Sequence, residues 1–121
     1  MIKYKSSSSG GKLFWFFQRL TGFLLLFILL FHFFLIHFCG TETHMVTFED
    51  VKARLVSPYW KTLDITFLFL ALFHGFYGLW MISDDYFRRP WVRIAIFGVL
   101  CTLGLILAIF GSLTIINFPS S

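Results

Sequence analysis

Three apolar runs, at about residues 13–38, 62–83 and 91–117, decide what this chain can become. Each reaches the roughly 20 residues that a helix needs to cross the hydrocarbon of a bilayer. Only a helix keeps every peptide group satisfied within its own segment there, so the runs read as transmembrane helices. The chain is 58% hydrophobic and 13% charged, against roughly 45–50% apolar and about 25% charged in soluble domains, which excludes a water-soluble globule. The connections are too short for a soluble catalytic domain, a nucleotide fold or a ferredoxin. The expected architecture is an all-α membrane protein of three transmembrane helices within a multi-subunit helix bundle. Residues 1–12 form a flexible cytoplasmic head and residues 13–118 the anchor domain. Its chemistry must lie inside or at the edge of the membrane, with help from other chains.

The basic residues are sorted by side. Lys3, Lys5, Lys12 and Arg19 precede or open the first run, and Arg88, Arg89 and Arg93 flank the second connection. Lys52, Arg54 and Lys61, on the opposite side, are offset by Glu42, Glu49, Asp50 and Asp64. The positive-inside rule then puts the N-terminus inside and the C-terminus outside. A net charge of +4 distributed in this way does not describe a nucleic-acid binder. The first run is too long for a secretory signal, lacks a small-residue cleavage site and carries Gln18, Arg19, His32 and His37. No organellar presequence pattern is visible, which points to a bacterial or archaeal plasma membrane. Cys39 and Cys101 fall at different depths without CxxC spacing and read as unpaired small apolar residues.

Thr47 followed by Asp50 predicts a helix start, and Phe48, Val51 and Leu55 then share one face. A short helix over about 48–56 is expected on the outer surface. Ser57-Pro58 ends it and suits the first turn of the next helix. Trp15, Tyr59, Trp60, Trp80 and Trp91 read as belt aromatics.

The informative residues are the polar ones inside the runs, because a charge at mid-membrane costs at least ~2–3 kcal/mol. Gln18, Gly22, Leu25, Leu29 and His32 advance by helical steps and form one stripe. Arg19 and His37 form another. Ala71, His74, Gly75, Gly78 and Asp85 line a face of the second helix, where small residues beside a histidine suit a flat, wide ligand such as a porphyrin. Gly104 and Gly111 give the third helix a smooth seam. His74 and His32 are candidates for metal or cofactor ligation, the alternative being a hydrogen bond to a neighbouring helix. His37 can snorkel to water, and His44 reads as a surface residue. Asp84-Asp85-Tyr86 is either a charged helix end or a group that hydrogen-bonds a quinone. At 1.5 Å per residue, His32 lies roughly 27 Å and His74 roughly 14 Å from the inner face. Two axial ligands of one iron cannot span that difference, so both ligate only if there are two haems.

The stretch from Leu72 to Tyr86, with His74, Gly78, Asp85 and Tyr86 at spacings of 4, 11 and 12, resembles the His-x-x-x-Gly…Asp-Tyr pattern of a known family. That family is the small cytochrome b membrane-anchor subunits of succinate dehydrogenase. Gln18-Arg-Leu-Thr-Gly22 is similar to its helix 1 opening, and Ser57-Pro-Tyr-Trp60 to its menaquinone-type bacterial members. The resemblance covers residues 13–118. It implies a second membrane-anchor subunit, an iron–sulfur subunit and a flavoprotein subunit as partners, with flavin and iron–sulfur clusters held only by those partners. Electrons from succinate would pass to a quinone, menaquinone by this branch, with haem b between helices. His74 matches the axial ligand of an inner haem, and His32 the helix 1 ligand of an outer one, with His37 as its substitute. Two b haems per complex follow, with Gly22, Gly75 and Gly78 as packing positions. Tyr86, Asp85, Arg19 and Gln18 match positions around the quinone, Tyr86 as donor to a carbonyl. The other readings are a haem-free quinone anchor, an unrelated di-haem cytochrome, and a small structural or transport subunit.

Overall fold

Proline sets the starts of two of the long helices, since it lacks the N–H that the first helical turn leaves unpaired. Pro58 opens α3 (Pro58–Tyr86) behind Ser57, and Pro90 opens α4 (Pro90–Ile116) behind Arg89. They follow α1 (Ser9–Phe38) and the short α2 (Phe48–Leu55) in a computed structural model that describes residues 9–38 and 46–118. Among the described residues three helices, α1, α3 and α4, are long and apolar enough to cross a membrane. Lys3, Lys5, Cys39, Glu42 and His44 lie outside the described residues.

The helices outrun the apolar segments that announce them. α1 starts at Ser9, inside the segment read as a head, and α3 runs through Asp84, Asp85 and Tyr86. Hydropathy marks only the part matched to hydrocarbon, and a helix of 29 residues is about 44 Å long, beyond the ~30 Å that this core needs. The extra turns carry Ser9 and Lys12 at the start of α1 and Asp84, Asp85 and Tyr86 at the end of α3.

α3 is the central element: it packs along α4 on one side and α1 on the other, with α2 against its outer end. Residues 87–89 alone join α3 to α4, which makes the two antiparallel neighbours. The glycine seam of α4 is spent on this contact. A Cβ at Gly104 would touch the Phe76 ring at 3.7 Å, and one at Gly111 would fall 2.7 Å from Leu68 Cδ2. Lys61 Nζ donates to the Ile116 carbonyl at 3.1 Å, tying the start of α3 to the end of α4, where a helix leaves carbonyls unpaired.

α2 is defined by a capping box. The Thr47 N–H donates to Asp50 Oδ2 at 2.9 Å, and the Asp50 N–H donates to Thr47 Oγ1 at 3.3 Å. Leu55, 5% exposed, is the most buried apolar residue among those described, and Phe48 meets the Phe118 ring at 5.4 Å between centroids. The long helices otherwise expose most of their Phe, Leu and Ile side chains. That surface suits lipid tails and other helices, not water.

Candidate functional site

α1 and α3 run antiparallel in a steady register. Gln18 lies beside Gly78, and four residues up α1, Gly22 lies beside His74, four residues down α3. Ten residues further along each helix, His32 meets Asp64. The two histidines therefore stand roughly 15 Å apart in level.

The inner level is built on close approach. A Cβ at Gly22 would fall 2.8 Å from His74 Cε1, and one at Gly78 3.2 Å from Gln18 Nε2, so both glycines are used to seat side chains between α1 and α3. Gly75 is different. Nothing lies within 4 Å of its missing Cβ, and it stays exposed. Of the three glycines expected to flank a flat ligand, Gly22 and Gly78 serve the helix pair and Gly75 alone adjoins open space.

The His74 ring is oriented by α1. Its Nδ1 lies 3.2 Å from the Gln18 carbonyl oxygen, a pure acceptor, so Nδ1 carries the proton and donates. Thr21 Oγ1 sits 3.3 Å from the same nitrogen while donating its own proton to the Phe17 carbonyl at 2.8 Å, which leaves its lone pair for the imidazole. Thr21 is 6% exposed and is the one buried polar residue among those described. Gln18 Nε2 adds a 3.0 Å bond to the His74 carbonyl, fixing the backbone as well as the ring. With the proton on Nδ1, a neutral ring presents its lone pair at Nε2, which has no hydrogen-bond partner among the described residues. This is the form a metal-ligating histidine takes, one nitrogen donating to a carbonyl and the other free. His74 therefore fits an axial ligand of haem iron. Among the described residues no three His, Cys, Asp or Glu side chains converge as a metal cluster.

The outer level is spent differently. His32 Nε2 lies 3.1 Å from Arg54 Nη1, and Arg54 Nη2 donates to Asp64 Oδ2 at 3.2 Å. A guanidinium only donates, so His32 Nε2 is the acceptor and its lone pair is committed. His32 Nδ1 stands 3.8 Å from Asp64 Oδ1, and the Phe67 ring stacks on the imidazole at 6.1 Å. As placed, His32 does not fit an axial ligand, because iron would compete with Arg54 for the same electron pair. His37 lies at the exposed end of α1, stacked on Phe33 at 4.1 Å with Nδ1 3.0 Å from the Phe33 carbonyl.

The residues expected around a quinone are scattered by comparison. Gln18 belongs to the His74 cluster, with its Oε1 buried and unpartnered. Arg19 is exposed and lies 5.2 Å above the Trp15 ring. Asp85 and Tyr86 project from the inner end of α3, Tyr86 81% exposed, while the preceding Asp84 pairs with Arg93 of α4. No described contact joins Tyr86 or Arg19 to His74.

Three site residues escaped the sequence reading. Thr21 was visible only as the threonine of the Gln-Arg-Leu-Thr-Gly stretch, although its place three residues after Gln18 puts it on the same helix face. Arg54 and Asp64 entered only as loop and interface charges. The usable signal was an acid one turn into an apolar run, which calls for a partner.

A comparison with curated proteins finds no match. The model of one family, the succinate dehydrogenase/fumarate reductase transmembrane subunit, matches residues 4–110, which is most of the chain; it takes in the whole α1–α3 pair and ends within α4. The chain belongs to the succinate dehydrogenase/fumarate reductase transmembrane subunit family.

Proposed function

We propose that the chain is the haem- and quinone-binding membrane anchor of a succinate:quinone oxidoreductase in a bacterial or archaeal plasma membrane. A second anchor chain, an iron–sulfur subunit and a flavoprotein subunit complete the complex, and menaquinone is the acceptor. The observation that carries this reading is the His74 imidazole, whose Nδ1 is committed to the Gln18 carbonyl and Thr21 while Nε2 is left free. A bound haem b supplies reversible one-electron chemistry between the iron–sulfur subunit and the quinone. His74 holds the iron from α3. Gln18 and Thr21 keep its ring in one tautomer and one orientation, and Gly75 leaves its neighbouring backbone approachable.

Tyr86 and Asp85 serve the quinone. The exposed phenol donates a hydrogen bond to a quinone carbonyl, and the neighbouring carboxylate delivers protons from the inner aqueous side. Arg19, next to Gln18 on α1, supplies a fixed cation for carboxylate or propionate charge.

The test is a complex isolated through a tag on this chain. Covalent flavin should co-purify, and a reduced-minus-oxidised spectrum should show a b-type band that His74→Leu removes. Flavin without any band in the wild type would leave a haem-free quinone anchor instead. Tyr86→Phe should lower quinone reduction while succinate oxidation by a soluble dye continues, and a parallel fall of both would make Tyr86 structural.

A further inference from the structure

His32, Arg54 and Asp64 come from three different helices and meet at one level near the outer surface. Their side chains are mostly withdrawn from solvent, with 20%, 21% and 13% of each exposed. An arginine so placed is costly unless its donors are used. Arg54 divides two of them between His32 and Asp64, and its guanidinium also lies 5.6 Å above the Trp60 ring. His32 is needed in that set as a neutral acceptor. The carboxylate takes one arm of the fork, and without the imidazole lone pair the other arm would be buried unpaired.

The helix that carries Arg54 cannot stand without such anchors. α2 has only eight residues, well short of the ~12–15 at which an isolated helix becomes even marginal in water. Its capping box closes the first turn, and its last turn holds the two residues that reach the membrane helices, Leu55 by burial and Arg54 by its fork. We infer that His32 is not an iron ligand but the acceptor of a three-helix clamp, His32–Arg54–Asp64, that fastens α2 across the outer end of the α1–α3 pair. The chain then contributes one haem ligand, His74, and closes the level at which a second was expected.

The two roles of His32 predict different losses. In the isolated complex, haem per covalent flavin and amide exchange of residues 48–55 are measured for His32→Gln, His32→Leu and Arg54→Gln. The glutamine oxygen of His32→Gln can still accept from Arg54 but is no haem ligand. All three variants should keep the wild-type haem-to-flavin ratio. Exchange over 48–55 should rise at least about tenfold in His32→Leu and Arg54→Gln, and less in His32→Gln. A fall in haem per flavin in His32→Gln overturns the inference, as does unchanged exchange in both His32→Leu and Arg54→Gln. If His32→Leu does not assemble, Arg54→Gln, which leaves α1 untouched, decides the exchange arm. A wild-type complex without haem would remove the reading of His74, and the exchange measurement would still decide the clamp.

Discussion

His74 and His32 lie between the same two helices, and what separates them is the partner each imidazole meets. At the inner level the neighbours of the ring are a backbone carbonyl and a hydroxyl whose own proton is already given away, so both accept and Nε2 keeps its lone pair. At the outer level the neighbour is a guanidinium, which can only donate, so Nε2 gives its lone pair up. The same side chain thus keeps a free lone pair at one level and gives it to Arg54 at the other. A histidine in a membrane helix is therefore read by the hydrogen-bonding sense of what surrounds it, more than by its depth or its spacing from a glycine.

The most severe way to break the comparison is to fill the inner level. In Gly22→Leu the new side chain occupies the place of the His74 ring, since even a Cβ would fall 2.8 Å from Cε1. Loss of nearly all haem is expected, with exchange over 48–55 unchanged because the outer cluster lies ten residues away on α1. Gly22→Ala is a milder form, in which better helix propensity offsets some crowding while the ring must still shift. Haem retained in Gly22→Leu would mean that the ring faces elsewhere.

Thr21→Val is next. It keeps the shape and removes the hydroxyl, leaving the Gln18 carbonyl as the only acceptor for Nδ1. Partners at this position typically alter metal affinity about 10- to 100-fold, and the change should also appear as a shifted haem midpoint potential. A merely structural threonine would leave the potential where it was. At the outer level, Arg54→Lys is expected to be smaller still. An ammonium reaches Asp64 or His32 but lacks the planar fork, so α2 should loosen by a few-fold in exchange, well below the loss in Arg54→Gln.

Much of the fold was legible because the bilayer reduces the question to length and polarity. The three spans, the α2 start at Thr47 and Asp50 and the proline at the head of α3 all follow from local rules. Glycine use was legible only in part. Gly22, Gly75 and Gly78 look alike in sequence, and nothing local distinguishes a glycine that admits a neighbouring side chain from one that leaves open space. The partners of His32 were hidden for a related reason. Arg54 sits 22 residues away on a different helix, and its choice of His32 and Asp64 depends on where α2 docks, which no periodicity encodes.

The smallest expected effect comes from pH at the start of α2 and sharpens the outer side of the comparison alone. Asp50 has its carboxyl held below its ordinary 3.8, first by the Thr47 hydroxyl and then by the Thr47 backbone N–H, both donating to it. A depressed carboxyl favours the charged form in the folded helix. Its support is therefore complete above about pH 4 and is lost as pH falls through the lowered value. Amide exchange over 48–55, corrected for its intrinsic pH dependence, should stay level from neutrality down to that point and rise by a few-fold beneath it. Asp50→Asn keeps an acceptor for the Thr47 N–H but has no charge to lose, so its exchange should be slightly faster at neutral pH and lack the acid step. The haem spectrum should not follow this transition, because Asp50 touches α2 and not the His74 level. A step that persists in Asp50→Asn would trace the acid sensitivity to a group other than Asp50.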